Sequence, residues 1–396
     1  MVTVDEAFQI ILSHLIDRGV SEISIEDSPG RILAEPVTAD RDFPPFNRVA
    51  MDGIAILHAS FDEGIREFPI DGVQAAGEPP TTLSNARNCI EVMTGAVLPN
   101  GVDTVIRYED IKVDRGKAVV QAEQVVPRQN VHHQGRDGSQ GQLLLEPGIK
   151  ISPAEVALFA AIGKARIRVC DFPTTALVSS GDELVAIEAI PEPHQIRRSN
   201  VYALQAAMRE MGWSGKRYHF RDDREELTKG LKNVLDEHDV VILSGGVSKG
   251  KFDFIPEVLE ANGIRKKFHQ VSQRPGKPFW FGVSDNSKVV FALPGNPVST
   301  YMCFYRYIRP WIERSIGVEA GFGQAILAED VNVNFALTYF LQVRVVIERG
   351  SLVAHPCAGG GSGDFSNLKD VTGFLELPPS ASGFRRGDIF PYIPFR

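Results

Sequence analysis

The chain has few of the features that mark several large protein classes. Its four cysteines (Cys89, Cys170, Cys303 and Cys357) form no CxxC pair, so neither a zinc knuckle nor a disulfide framework is indicated. No apolar run approaches the roughly 20 residues of a membrane span. A formal net charge of −8 argues against nucleic acid as the main partner. The first residues lack the basic region and cleavage pattern of a secretory signal, so we expect a cytoplasmic protein without a membrane partner.

The remaining composition is typical of a globular chain with several domains. Of the 396 residues, 43% are hydrophobic and 23% are charged. The residue patterns predict the α/β class, as a multi-domain chain. The predicted parts are a split helical or linker domain over 1–41 and 139–168, an inserted β domain over 42–138, a doubly wound α/β domain over 169–315, and a terminal β domain over 316–396.

Two helices are predicted for the split helical domain. Thr3 and Glu6 form a capping box, followed by apolar residues on one helical face through Ile16. Ser152 and Pro153 are a typical N-cap and first residue of a second helix. We expect the two helices to pack together.

From residue 169 the strand and helix patterns alternate, which predicts the doubly wound sheet. Asp222 and Glu225 form the capping box of one predicted helix, which by itself explains Asp222. Asn296 and Pro297 are a natural N-cap and first helical residue, so this helix would direct its amino end toward the carboxyl edge of the sheet.

The stretch from Ser244 to Asp253, SGGVSKGKFD, follows a short apolar run typical of a buried strand. Gly245 and Gly246 allow backbone N–H groups to approach a ligand closely. The carboxyl end of a parallel sheet is where α/β proteins hold phosphorylated ligands. Taken alone, the same pattern also fits an ordinary glycine-rich turn.

Eight blocks of sequence resemble one family, the molybdopterin molybdenumtransferases, to which the E domain of gephyrin also belongs. The blocks are PPFNRVAMDGIA (44–55), VMTGAVLPNGVDTV (92–105), SSGDEL (179–184), SNVYAL (199–204), SGGVSKGKFD (244–253), RPGKP (274–278), LPGNPVS (293–299) and GSGDFSNL (361–368). The resemblance implies a homodimer of elongated four-domain subunits with a shared active site. It also implies adenylylated molybdopterin and molybdate as substrates, AMP and molybdenum cofactor as products, and Mg²⁺ or another divalent cation as cofactor.

The resemblance also implies roles for individual residues. The catalytic residues would be Asp52, Thr94, Glu183, Asp222 and Asp253, with Glu183, Asp253 and Asp52 near the metal. The residues that bind the pterin substrate would be Ser244, Gly245, Gly246, Ser248, Arg274, Lys277, Pro294, Asn296 and Ser299. Thr94 and Arg274 would also help to hold molybdate, because oxyanions prefer hydroxyls and cations. Asp52 and Thr94 lie in the β domain, so they would reach the α/β site across the dimer interface.

Several positions depart from the family pattern. They are Val49, Ile54, Arg136, Arg198, Lys249 and Lys251, and the last four add positive charge near the expected site. None of them changes a residue for which the resemblance implies a role. The departures leave open a member with a changed substrate preference.

Two other functions stay open. A molybdopterin adenylyltransferase shares the α/β fold, but it would not account for the blocks around Asp52 and Thr94 or for the terminal β domain. A carrier or scaffold that binds the pterin without turnover is the second, and the intact acids argue against it. The choice between molybdate and tungstate, and other cofactor-biosynthesis proteins as partners, stay open as well.

Overall fold

The computed structural model describes residues 1–17, 19–247, 254–319, 321–357 and 359–396. The α-helices are α1 Val4–Leu12, α2 His58–Asp62, α3 Pro153–Ala161, α4 Asn200–Arg209, α5 Arg224–Glu237, α6 Ile255–Ala261, α7 Pro297–Cys303 and α8 Arg309–Ser315, with a π-helical turn at Phe304–Ile308 between the last two. No helix in these ranges has the length and apolar character needed to cross a membrane.

The strands of the first half are short. They are β1 Val20–Ser24, β2 Val37–Thr38, β3 Arg48–Val49, β4 Gly53–Ile56, β5 Glu67–Gln74, β6 Cys89–Val92, β7 Thr104–Arg107, β8 Ile111–Asp114, β9 Lys117–Val120, β10 Val131–His132, β11 Leu143–Leu145 and β12 Arg166–Cys170. Those of the second half are β13 Thr175–Ser180, β14 Leu184–Val185, β15 Ile196–Arg197, β16 Lys216–Phe220, β17 Val240–Ser244, β18 Arg265–Gln270, β19 Gln273–Arg274, β20 Pro278–Val283, β21 Val289–Leu293, β22 Gly323–Leu327, β23 Thr338–Glu348, β24 Ser351–Pro356, β25 Gly373–Leu377 and β26 Ile389–Pro394.

The chain divides into two compact units. One contains 1–34, 148–156 and 166–396, and the other contains 35–147 and 157–165. The α/β sheet and the carboxyl-terminal barrel both belong to the first unit. The four domain boundaries proposed from the sequence stay predictions.

The α/β sheet confirms the predicted fold class. Its strand order is β16-β13-β17-β21-β20-β18; the first four strands are parallel to one another, β20 is antiparallel to β21, and β18 is antiparallel to β20. Strand β13 shows why both faces are covered, because Leu177 packs with α4 and α7 while Ala176 and Val178 pack with α5 and α6. Because helices cover both faces, β17 and β21 are buried throughout.

Helix α1 packs onto the α/β unit. Its predicted capping box is present, because Thr3 and Glu6 exchange hydrogen bonds at 2.8 and 3.2 Å. Its buried residues Val4, Ala7 and Ile11 join the core of the α/β unit. The helix contacts α8, whereas the sequence suggested α3 as its partner.

The start of α5 corrects a sequence prediction. The N-cap is Asp223, which has an extended backbone. Its side-chain oxygen accepts a 2.8 Å hydrogen bond from the backbone N–H of Glu226. The capping box predicted for Asp222 and Glu225 is therefore wrong by one residue. Asp222 lies outside the helix, and its carboxylate is available for contacts at the sheet edge.

The second unit contains a six-stranded sheet in the order β7-β4-β6-β5-β9-β8. Strand β4 lies between β6 and β7 and pairs with both, so it is held on two sides. Its first residue is Gly53, where an added Cβ would lie 1.9 Å from the backbone oxygen of Ile106. Only glycine fits this approach, which fixes the chain immediately after Asp52.

The carboxyl-terminal strands form a small closed barrel. Strands β23, β24, β22, β26 and β25 follow one another around it, and β25 pairs back onto β23. Closure leaves no open edge in this ring, and β19 of the α/β unit adds alongside β23. The predicted terminal β domain thus lies next to the loop that carries Arg274.

Candidate functional site

The largest described cavity lies at the carboxyl ends of the parallel strands. It has a volume of about 880 Å³ and is called the main cavity below. It is lined by the ends of β13 and β17, by the turn after β21, and by the segment around β14 and β15; the lining includes Ser179, Ser180, Glu183, Arg197, Arg198, Asn200, Asp222, Ser244, Gly245, Gly246, Pro294, Asn296 and Phe365. This edge of an α/β sheet is where ligands bind.

The glycine loop after β17 requires its two glycines. Gly245 and Gly246 have φ values of +101° and +69°, which L side chains rarely adopt. A Cβ at Gly245 would lie 2.8 Å from the backbone oxygen of Ser180, and one at Gly246 would lie 2.4 Å from Ile255 Cδ1. The loop therefore brings bare backbone to the cavity wall. Ser248 and Asp253, which were predicted to bind substrate and metal, lie outside the described residues, as do Lys249 and Lys251.

Ser244 connects the loop to its neighbours. Its hydroxyl is buried and accepts a 2.8 Å hydrogen bond from Asn200 Nδ2. The same Asn200 amide donates to the backbone oxygen of Gly295 at 2.8 Å. The first residue of α4 thus joins the loops that follow β17 and β21. Because its hydroxyl is used in this way, Ser244 holds the site together more than it offers a free ligand group.

Two carboxylates line the main cavity. Glu183 lies beside Gly181, where an added Cβ would come within 2.7 to 2.9 Å of the Glu183 carboxyl group. Asp222 accepts a hydrogen bond from the hydroxyl of Ser180 at the end of β13. The sequence predicted both acids, and the fold brings them to one cavity from two different loops.

A smaller cavity of about 370 Å³ adjoins the main cavity and is called the side cavity below. Pro278, Pro294 and Asn296 line both. The predicted binding residues Arg274, Lys277 and Ser299 line the side cavity, together with Tyr339 and Gln342 of β23 and Ser362 of the segment between β24 and β25. Among these described lining residues there are two cations and no acid, so the side cavity favours an anion.

Hydrogen bonds hold the residues that line the side cavity in place. The buried Gln273 receives a hydrogen bond from the hydroxyl of Tyr307 and donates to the backbone oxygen of Gly276 at 2.9 Å. Asn296 is the N-cap residue of α7, but its side chain makes no cap hydrogen bond and donates instead to Ser362 Oγ at 2.8 Å. The barrel is therefore fixed directly to the substrate-facing turn.

Asp52 and Thr94 meet in the second unit. The backbone N–H and the hydroxyl of Thr94 both donate to Asp52 Oδ1, at 2.6 and 2.7 Å. These two hydrogen bonds lower the pKa of the exposed Asp52 carboxyl group. The nearby Tyr108 donates its backbone N–H to the Asp52 carbonyl at 3.1 Å, and its hydroxyl to Glu91. The arrangement holds a charged carboxylate at the surface of this unit.

The departures from the family pattern have different surroundings. Val49 and Ile54 are buried within the second unit, and Arg136 is exposed there. Arg198 is half-buried and lines the main cavity. Of the departures that the structure describes, Arg198 is therefore one that changes the charge of a cavity wall.

Sequence reasoning missed part of this site. Asn200 and Ser362 lie in two of the eight blocks that resemble the family, but neither was predicted to be a site residue. Tyr339 and Gln342 lie in a plain strand pattern, and no local signal marks them as lining a cavity. They reach the site because the barrel packs beside the loop that carries Arg274.

No cluster of three or more His, Cys, Asp or Glu side chains suited to a metal occurs in the part of the chain that the structure describes. The two carboxylates of the main cavity nevertheless fit Mg²⁺. This ion commonly uses one or two protein carboxylates and takes its other ligands from substrate phosphates and water. The donor set is all oxygen, as a hard cation prefers.

Three family models match the chain in order. They are described as the MoeA N-terminal region (domain I and II) over residues 2–163, a probable molybdopterin binding domain over 176–314, and the MoeA C-terminal region (domain IV) over 324–395. Relatives named molybdopterin molybdenumtransferase include one from Synechocystis sp., with 37% identity over 99% of each chain. Another, from Bacillus subtilis, is 30% identical over 98% of this chain and 92% of its own.

Solved structures agree with these relatives. A molybdopterin biosynthesis MoeA protein from Pyrococcus horikosii aligns with a TM-score of 0.85 and 30% identity, over 100% of this chain and 99% of that chain. A molybdenum cofactor biosynthesis protein from Pyrococcus furiosus, at 17% identity and a TM-score of 0.60, shares the fold over 99% of this chain and 98% of its own. The chain belongs to the molybdopterin molybdenumtransferase family.

Proposed function

We propose that this chain transfers molybdenum from molybdate to adenylylated molybdopterin and releases AMP. The observation that carries the proposal is the pair of adjoining cavities at the carboxyl edge of the sheet. One has two carboxylates beside a bare glycine loop, and the other has two cations and no described acid. A reaction that joins a phosphorylated organic substrate to an inorganic oxyanion needs both kinds of surface side by side.

The main cavity would hold the phosphorylated pterin. The backbone N–H of Gly246 suits a phosphate oxygen because no side chain blocks its approach, whereas the N–H of Gly245 donates to the Leu293 carbonyl at 3.1 Å and holds the loop. Glu183 and Asp222, with Asp253 from the undescribed segment, would hold Mg²⁺ or another divalent cation. When bound, this cation would neutralise charge on the phosphoanhydride. The hydroxyl of Ser180 orients the Asp222 carboxylate by donating to it.

The side cavity would hold molybdate. Arg274 and Lys277 supply positive charge, and the hydroxyls of Ser299 and Ser362 are suitable oxyanion donors. Its shared wall with the main cavity, at Pro294 and Asn296, would keep molybdate beside the sulfur atoms of the bound pterin. No protein nucleophile is then needed, because those sulfur atoms accept the metal.

The proposal includes a homodimer in the cytoplasm. Asp52 and Thr94 of one subunit would complete the cavity of the other and contact molybdate or the divalent cation. The two hydrogen bonds from Thr94 support this role, because they fix the position of the Asp52 carboxylate. Other proteins of molybdenum cofactor biosynthesis would deliver the pterin.

The test is AMP release from adenylylated molybdopterin in the presence of Mg²⁺ and molybdate. We expect the purified chain to release AMP, and the Asp253→Ala variant to fold but release none. Asp285→Ala is a matched control, since Asp285 is an exposed acid in the same domain that pairs with Arg265. Its activity should equal that of the wild type.

Other outcomes separate the competing functions. Pterin binding without AMP release would contradict turnover and favour a carrier. Adenylylation of molybdopterin from ATP would favour the adenylyltransferase class. Full activity in Asp253→Ala would remove that residue from the site.

A further inference from the structure

Two arginines line the main cavity beside its acids. They lie on the segment that carries the short parallel strands β14 and β15. Glu183 immediately precedes β14, and Arg198 immediately follows β15, so this small ladder carries an acid before its first strand and a cation after its second. The backbone N–H of Ile196 donates to the Glu183 carbonyl at 2.8 Å and fixes the pairing.

Arg198 is held more firmly than Arg197. Its backbone N–H and its Nε both donate to the carbonyl of Val185, at 3.1 and 3.3 Å. The side chain is half-buried, whereas Arg197 is exposed and donates its Nε to the Ala189 carbonyl. Within the described ranges, the terminal nitrogens of Arg198 make no hydrogen bond. The stem of this guanidinium is thus anchored while its fork is free for a ligand.

The positive charge of Arg198 also acts on His219, which contacts a residue that lines the main cavity. His219 lies on β16, and its Nδ1 is 3.0 Å from the hydroxyl of Ser179, which lines the cavity. Burial lowers the pKa of His219, and the positive charge of Arg198 lowers it further. Arg198 therefore lies close enough to His219 for their charges to interact.

We propose that Arg198 binds the phosphoanhydride of the substrate and is a specificity-determining residue for it. This inference rests on the proposed function. A diphosphate entering the main cavity meets the carboxylates of Glu183 and Asp222, which repel it. A guanidinium is always charged, and its planar fork matches two phosphate oxygens. Arg198 supplies fixed positive charge at this position, so the cavity depends less on the divalent cation for binding.

The test uses ADP as a stable phosphoanhydride probe and the full-length protein. Calorimetric titration with and without Mg²⁺ would compare the wild type with Arg198→Gln and Arg198→Lys. Loss of a charged hydrogen-bonding group should weaken ADP binding by about 10- to 100-fold, and more strongly without Mg²⁺. Arg198→Lys should recover part of the affinity. Arg209→Gln is the matched control, because Arg209 is an exposed arginine at the end of α4.

Each outcome decides the inference. Unchanged ADP affinity in a folded Arg198→Gln variant would overturn it, and so would an equal loss in the Arg209→Gln control. If Arg198→Gln fails to fold, Arg198→Met, which keeps the apolar stem and removes the charge, takes its place, and an unchanged ADP affinity in that folded variant would overturn the inference. A wild type that binds ADP through Arg198 but releases no AMP would contradict the proposed function and leave the phosphoanhydride site standing.

Discussion

The substitution Gly181→Ala should displace the Glu183 carboxylate while the protein stays folded. The new Cβ would lie 2.7 to 2.9 Å from the carboxyl atoms of Glu183, which is closer than real Cβ contacts allow. The group that must move is the end of a flexible side chain, so the backbone can stay in place. Gly181 also has a φ of +149°, a conformation that costs a non-glycine residue about 1 to 3 kcal/mol.

Gly263→Ala is the control that shares the backbone cost alone. Gly263 ends the α6 turn with a φ of +82°, and nothing lies within 4 Å of its added Cβ. Both variants should therefore unfold at somewhat lower denaturant concentration than the wild type. Only Gly181→Ala should displace the Glu183 carboxylate.

The assay is the Mg²⁺ dependence of AMP release, measured beside denaturant unfolding. Displacing a ligand-supporting carboxylate should raise the Mg²⁺ concentration for half-maximal activity by about 10- to 100-fold in Gly181→Ala. Gly263→Ala should keep the wild-type value. Wild-type Mg²⁺ dependence in a folded Gly181→Ala protein would refute the reasoning, because Glu183 would then have moved without consequence.

Two further variants probe hydrogen bonds, one in each compact unit. Thr94→Val removes the hydroxyl that donates to Asp52 but keeps the backbone N–H, so the pKa of Asp52 should rise. A carbon-detected NMR titration of the Asp52 carboxyl group would measure this change. Thr94→Ser is the control and should keep the lowered pKa. A carboxyl group whose pKa is lowered on folding stabilises the fold at pH values above the ordinary aspartate pKa, and this stabilisation is lost as the pH falls through the lowered pKa. Thr94→Val has less of this stabilisation to lose, so its stability should fall less in acid than that of the wild type. Tyr307→Phe leaves the buried Gln273 oxygen without its donor and should cost about 1 to 3 kcal/mol in denaturant unfolding. It should also raise the KM for molybdate, because Gln273 holds the turn at Gly276. An unchanged KM would mean that this turn does not contribute to molybdate binding.

Local signals in the sequence determined the main elements of the α/β unit. The apolar runs that give β17 and β21 follow directly from burial on both faces of the sheet. The capping box at Thr3 and Glu6 is equally local, because it needs only residues three apart. The same locality misled at Asp222, since Asp223 offers the identical side chain one position later and takes the cap.

Tertiary structure decided what local signals could not. Strand β20, which runs antiparallel to its neighbours β21 and β18, has the same apolar character as the buried parallel strands, so its direction could not be inferred from composition. The division of the predicted binding residues between two cavities depends on where the barrel packs, and Tyr339 and Gln342 enter the site only through that packing. The sequence by itself determined which chemical groups the chain possesses and which strands are buried, because burial and capping are encoded over a few residues. The tertiary structure alone decided which of those groups share a cavity, because that depends on contacts between segments far apart in the chain.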